Sequence, residues 1–411
     1  MKSSSLARTF GAAMMIAGVT IGIGILGLPV QTGLAGIIPS ILIMIIVWLF
    51  MLSTGWIIAR HVTQSDNPRE DLGSLFSKTL GLPGKVLTMI GYFLLLYGIL
   101  VAHLAAGGQI LASLNIFSFP LSVWALVFFI IATFIALVGA KQIDRASTIL
   151  LLLLILVFFV LIYFTMSHVV PERYNHQDWS FSISAVPIII CALTYHIIIP
   201  SVCRVLDNDF KAVKKALLIG TVLPILINIL WIVAVLGALP LLGEKCSIAS
   251  AFDKNQPAVI PLAQAYPGTP IRAISLVFSM VALLLSYVLQ AASMVSFFSD
   301  LLAKKFPARV KLYSNLLTFL PSLAIVLAFP NLFLSALNIT GGISIILLCG
   351  ILPAMVGVKW ARKKSKLTRM FMIFLLTVFT LFFCIEVAQE TGFLKLRPDM
   401  EYEPAPSVVG P

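Results

Sequence analysis

Charge is the first thing missing. Only 11% of the 411 residues are Asp, Glu, Lys or Arg, against about 25% in soluble domains, and residues 9–59 contain no charged side chain at all. Such a chain cannot cover a water-facing globule, which excludes a soluble enzyme or binding module. Cysteine is scarce too: Cys191, Cys203, Cys349 and Cys384 fall in or beside apolar stretches, leaving Cys246 alone among connecting segments. No disulfide framework and no Cys/His metal spacing follow from that pattern. There is no G-x-x-x-x-G-K-[ST] phosphate loop, so ATP is not the direct energy source. Paired carboxylates, a metal cluster and an activated nucleophile are absent, which argues against an enzyme. Repeated pore motifs and rings of charge are absent, which argues against a channel. Nothing calls for a cofactor.

What the chain has is apolar length. Hydrophobic residues make up 60% of it, and its mean hydropathy is +1.06. A helix crosses the hydrocarbon with about 20 apolar residues. Eleven such stretches can be drawn, at 9–33, 37–59, 86–112, 120–140, 147–168, 182–203, 216–242, 273–299, 312–330, 334–358 and 370–387. A membrane β-barrel needs short alternating segments, which Ile149–Phe164, "ILLLLLILVFFVLIYF", does not supply. The expected fold is all-α and polytopic, with eleven spans.

Basic residues orient it, because cytoplasmic loops hold an excess of Lys and Arg. With the N-terminus inside, 22 of the 28 Lys and Arg fall on cytoplasmic segments and the C-terminus lies outside. The formal net charge of +12 is spread over six separate segments, as contact with lipid headgroups requires, and is no nucleic-acid patch. The basic start "MKSSSLARTF" resembles a signal peptide, but no small-x-small cleavage site comes after it, so it is kept as the start of the first span.

"AGVTIGIGILGLP", Ala17–Pro29, contains G-x-G-x-x-G at Gly22, Gly24 and Gly27. A dinucleotide fingerprint needs a preceding strand and an acid about 20 residues on. The first carboxylate after it is Asp66, so the nucleotide reading fails. Glycine at this density, with Pro29, instead weakens a helix in mid-crossing. The sixth span, "AVPIIICALTYHIIIPSV", has Pro187 and Pro200 around Thr194, Tyr195 and His196, and proline both lacks a donor and clashes one turn back. Broken helices survive in a bilayer only where buried or lining a wet cavity, and transporters use them as binding sites. Two breaks five spans apart point to an inverted repeat, 9–168 and 182–358, with 370–387 as an extra helix and 391–411 as an outer tail. Glycine also permits close helix packing, but two breaks at corresponding positions favour the transporter reading.

These stretches, with "LLYGILVAHLAAGGQILAS" (Leu95–Ser113) and "RVLDNDFKAVKKALLIGTVLP" (Arg204–Pro224), resemble the hydroxy and aromatic amino acid permeases, the bacterial tryptophan and tyrosine carriers of the amino acid, polyamine and organocation superfamily. The resemblance implies a five-plus-five inverted-repeat fold in the inner membrane and uptake of an amino acid coupled to a cation, usually a proton. The chain departs from similar proteins at His103 and Gln109, where they have a tyrosine and an acid. It departs again at Leu-Thr-Tyr-His (193–196), where they have Phe-Gly-Phe-His. Substrate identity is thereby left open between tyrosine, tryptophan and another neutral or hydroxy amino acid such as serine or threonine.

For the substrate carboxylate the expected partners are the backbone of Gly22, Ile23, Gly24 and Ile25, with Thr20 beside them. Thr194, Tyr195 and His196 are expected to face the amino group, and Tyr97 to close the pocket. All 16 acids lie in loops, tails or span ends, so His196 and His103 are the titratable groups inside the membrane. Either can also be a neutral packing residue. The remaining alternative is sodium held by first-span carbonyls and a hydroxyl such as Ser293, which shares a helix face with Ser286, Gln290 and Ser296. A packing seam explains that face equally well.

Overall fold

The computed structural model describes residues 5–65, 71–243, 245–303 and 305–394, with side chains omitted at residue 5 and at 138–151. The described residues are helices joined by short connectors. The first crossing is two helices, α1 (Ser5–Thr20) and α2 (Gly24–Gly33), bent by 61° across a break of three residues. Then come α3 (Ile37–Thr63), α4 (Leu72–Ser113) and α5 (Leu121–Met166). A second interrupted crossing holds α6 (Val186–Ala192) and α7 (Ile199–Val205), and α8 (Phe210–Ala238) comes next. Two short helices, α9 (Ile248–Asp253) and α10 (Val259–Ala265), lead into α11 (Pro270–Leu302) and α12 (Val310–Ala328). The last crossings are α13 (Phe333–Ile339), a π-helical stretch Thr340–Ile351 and α14 (Leu352–Ala361) in one line, then α15 (Lys366–Glu390).

Polar caps fix where two of the long helices start. Asp71 accepts from Ser74 N at 2.7 Å while Ser74 Oγ accepts from Asp71 N at 3.0 Å, a reciprocal pair that satisfies orphan amides of α4. Asp209 accepts from Lys211 N and Ala212 N at the start of α8. Gly81, at φ 73° and ψ −154°, kinks α4 just before Pro83. The kink separates an initial surface turn from the crossing expected at 86–112.

Eight helices are long and apolar enough to cross a membrane, and the bent pair makes nine, among the described residues. Helical winding continues through the expected connector between 140 and 147, within Leu121–Met166. Its sequence from Ala140 to Leu151 contains charge but neither glycine nor proline, and charged residues interrupt hydropathy without interrupting a helix. Two shorter apolar stretches, Leu121–Leu137 and Leu152–Met166, occupy the places of the fourth and fifth spans. Lys141, Asp144 and Arg145 of the connector, and nearly all of the tail at 391–411, lie outside the described side chains.

Neighbouring helices pack where side chains shrink. α1 lies along α8 and α5 along α11. Gly220 of α8 lets the carbonyl of Ala13 come so close that a Cβ would stand 2.6 Å from it. Trp231, Tyr195, Tyr287, Phe128 and Phe278 are among the largest fully buried side chains: Tyr195 belongs to the second interrupted crossing, Trp231 reaches the first, and Phe128 and Tyr287 pack together between α4, α5 and α11.

Candidate functional site

The two breaks touch. A Cβ added to Gly24, the first residue of α2, would stand 2.8 Å from Ala192 Cα at the end of α6, closer than real side chains come. Three residues on, a Cβ at Gly27 would come within 2.5 Å of Ile188 Cδ1. The glycines of the first span therefore do two jobs. At Gly22 a Cβ would make only ordinary contacts, with Ser286 Oγ and Val19 O at 3.9 Å; Gly24 and Gly27 let α2 lie directly on α6.

Pro29 cannot donate to the carbonyl one turn back, which frees Ile25 O. The fully buried Trp231 of α8 fills that vacancy, its Nε1 donating to Ile25 O at 2.9 Å. The next carbonyl, Leu26 O, accepts from Ala258 N at 2.8 Å. At the other end of the break Ile23 gives α2 no side-chain cap; Ile25 N and Leu26 N bond back within the turn to Gly22 O at 3.3 Å and Ile23 O at 3.1 Å, so what the helix start offers is the positive end of its dipole. That end of a helix attracts a carboxylate. Thr20, expected beside it, is buried and donates to Ile16 O at 2.7 Å.

The second break runs from Leu193 to Tyr195 and continues into a 3-10 turn at His196–Ile198. Thr194 Oγ1 donates to Ile190 O at 2.6 Å and is half-buried. Tyr195 and His196 turn the other way, into α3. Tyr195 Oη donates to Met51 O at 3.1 Å, and His196 Nε2 lies 3.0 Å from both Met51 O and Thr54 Oγ1. The two rings stack at 4.6 Å. Because a carbonyl can only accept, Nε2 carries the proton. The lone pair is then on Nδ1, which is buried without a partner among the described residues. Gly55 of α3 gives Tyr195 its room: a Cβ there would come within 2.5 Å of Oη.

Three expected contributors lie elsewhere. Tyr97 donates to Leu317 O of α12 at 2.6 Å and lines an apolar groove between α4, α12 and α13. Ser293 is exposed and bonded to its own helix at Leu289 O; Ser286, two turns earlier on that face, is the hydroxyl that approaches Gly22. His103 is fully buried, with Nδ1 2.7 Å from Ile99 O and its ring edge-on to Tyr287 at 6.1 Å. Glu386, read in the sequence as a span end, is inside the bundle at 3% exposure, because α15 continues another turn to Glu390.

Sequence reasoning missed Trp231, Met51 and Thr54. Pro29 announced a freed carbonyl, but nothing in the sequence says which of six tryptophans, about 200 residues away, reaches it. Among the described residues no group of three or more His, Cys, Asp and Glu stands together for a metal.

A multi-pass helical bundle whose two discontinuous helices meet inside it defines a class, the helical membrane transporters that bind at broken helices. The tryptophan/tyrosine permease family profile matches residues 6–389, and the chain belongs to that family. It is a transport protein and not an enzyme. It is 25% identical to the tyrosine-specific transport system 2 of Haemophilus influenzae over 341 residues, covering 81% of this chain and 84% of that one. It is 27% identical to the tryptophan-specific transport protein of the same organism over 386 residues, covering 88% and 89%. Among solved structures it resembles MhsT in complex with L-phenylalanine, with a TM-score of 0.61 at 17% identity over 94% of this chain and 98% of that one. That likeness is one of fold.

Proposed function

We propose that the protein imports an aromatic amino acid, tyrosine or tryptophan, across the bacterial inner membrane by symport with a cation, and that the cation is a proton. The carrying observation is the contact of Gly24 with Ala192, which sets the uncapped start of α2 against the end of α6. A zwitterion fits between a helix start, which favours its carboxylate, and a helix end, which favours its ammonium. Separation of α2 from α6 opens the site, and their closure around the substrate completes it. The family membership and the tyrosine- and tryptophan-specific relatives support the substrate class.

The topology that goes with this reading has eleven crossings, with Leu121–Leu137 and Leu152–Met166 as the fourth and fifth. The N-terminus is cytoplasmic and the C-terminus periplasmic. The two halves, 9–168 and 182–358, form an inverted repeat, each opening on a broken helix. The distribution of Lys and Arg supports that orientation.

Two observations favour the proton over sodium. Ile25 O and Leu26 O are already bonded to Trp231 and Ala258, and Ser293 is turned outward, so the first-span cation site has lost members. His196 keeps a lone pair on Nδ1 at the second break. Protonation there would add a charge to the buried contact with α3 and so bias α6 and α7 against it. The test is uptake of radiolabelled tyrosine and tryptophan into proteoliposomes, with unlabelled amino acids in competition and imposed proton or sodium gradients. His196→Gln keeps binding and counterflow exchange and loses accumulation against a gradient. Proton-driven concentrative uptake by that variant refutes the histidine mechanism, and preferential competition by serine or threonine refutes the aromatic substrate.

A further inference from the structure

A second polar cavity lies away from the two breaks, where the last turn of α2, the start of the α6 crossing, α13 and the end of α15 come together. It encloses about 380 Å³ and is lined by Gln31, Ser184, Asn338, Glu386, Gln389 and Glu390, closed on one side by Phe181 and Phe252. Gln31 and Glu386 are each only 3% exposed. Gly342 makes the room for Glu386, whose side-chain carbons occupy the place of the missing Cβ.

The cavity is built of acceptors. Gln31 Nε2 donates to Ser184 O at 3.1 Å; a carbonyl partner settles which end of the amide is nitrogen, so Gln31 Oε1 is the end left over. It is buried with no partner among the described residues, and so is Asn338 Oδ1. Gln389 Nε2 is spent on Ser184 Oγ at 3.0 Å. Glu386 and Glu390, four residues apart on α15, lie on one helix face, where like charges repel. No Lys, Arg or His is among the described residues lining the cavity. Buried acceptors without donors are costly, and a buried carboxylate beside another is costly unless something positive stands with them. Oxygen-only donors of this kind suit a hard cation.

We propose that this cavity binds a small hard inorganic cation, held by Glu386 and Glu390 with the amide oxygens of Gln31 and Asn338. The bound ion ties α2 to α15. Since α2 must leave α6 for the central site to open, an ion binding only the arrangement in which Gln31 and Glu386 share a cavity shifts the population toward it. The inference needs no assumption about which solute is carried, and it is separate from the ion that drives uptake.

The experiment is thermal unfolding of the purified full-length protein in nanodiscs without amino acid. It titrates sodium, potassium, lithium, calcium and magnesium chlorides, with choline chloride holding ionic strength constant. The expected result is a saturable rise in the unfolding midpoint with at least one of these cations. Its half-saturation concentration increases about tenfold or more in Glu386→Gln, the scale of losing one contact to a charged group, and severalfold in Glu390→Gln, while Ser293→Ala leaves it unchanged. Glu390 is exposed, so its variant reads the site even where Glu386→Gln fails to fold. No saturable response to any of the salts, or the same response in both variants as in the parent, overturns the proposal. So does a response that appears only after Lys395 and Arg397 are replaced by glutamine, because the segment after α15 then supplies the charge. Ethylammonium chloride is titrated in parallel, and stabilisation by it alone, lost in the glutamate variants, overturns the proposal in favour of an organic ammonium.

Discussion

The two breaks solve the same problem by different means. In the first crossing the chain bends by 61° and the breaking residues have almost no side chains. Partners for the freed carbonyls come from far away, Trp231 and Ala258. In the second crossing the breaking residues bring their own anchors: Tyr195 and His196 both reach Met51 O of α3, and no sharp bend is needed. A glycine break offers its backbone to whatever comes near, whereas a side-chain break is tethered to one neighbour. The first is free to meet a neighbour and the second is held in place by α3.

The largest effect expected from this contrast is at Gly24. Gly24→Ala drives a methyl into Ala192, an overpacking cost of about 1–3 kcal/mol, and uptake falls at least tenfold. Gly22→Ala, whose methyl would make only ordinary contacts at 3.9 Å, keeps folding and uptake near the parent's. The bulkier Gly22→Val abolishes uptake while leaving the protein in the membrane, because it fills the proposed approach to the first break. Initial uptake rates normalised to membrane-inserted protein decide these cases, and equal behaviour of the two alanine variants would dissolve the distinction between them.

Next comes the distant partner. Trp231→Phe preserves most of the buried ring and leaves Ile25 O without its donor, so unfolding stability falls by about 1–3 kcal/mol. A thermal-shift assay that finds no loss would mean that water replaces the indole. Tyr195→Phe is milder, about 0.5–1.5 kcal/mol, because His196 Nε2 still bonds Met51 O. Its sharper readout is the proton dependence of uptake, which shifts in Tyr195→Phe if the stacked ring helps position His196.

The smallest effect belongs to the ends of the same two crossings. Arg8 pairs with Asp207 at 2.8 Å and donates to Val205 O at 2.6 Å, joining the start of α1 to the end of α7. Both side chains are well exposed, and exposed pairs contribute roughly 0–1 kcal/mol. Arg8→Ala should move stability within that range. Whatever it does to uptake should fade as salt rises, because the pair is screened.

Legibility in the sequence tracked the reach of each effect. Glycine and proline act on their own backbone, so both breaks could be placed to within a few residues. Pairings across the bundle could not, since Trp231 and Ile25 are 206 positions apart and no periodicity links them. Faces were harder still. In lipid an outward residue is as apolar as an inward one, so Tyr97 and Ser293 carried no mark showing that they turn away from the breaks. The expected connector between 140 and 147 shows a related distinction: hydropathy detects where a chain meets water, and helical winding can continue there. Glu386 was hidden by an error of three residues at the end of its span.

The π-helical stretch Thr340–Ile351 lies against both α6 and α15. Gly341 receives Pro187 O where its Cβ would be, while Gly342 and Gly350 receive Glu386 and Phe379. Twelve residues wound i→i+5 make more residues per turn than the α-helices in line with them, a winding that is rare and seldom so long. Any part that rewinds to i→i+4 rotates α14 about the helix axis without unpairing the backbone as a whole. The crossing therefore holds torsional slack at the point where one neighbour lines the candidate substrate site and the other the acidic cavity, and a twist there would be felt by both.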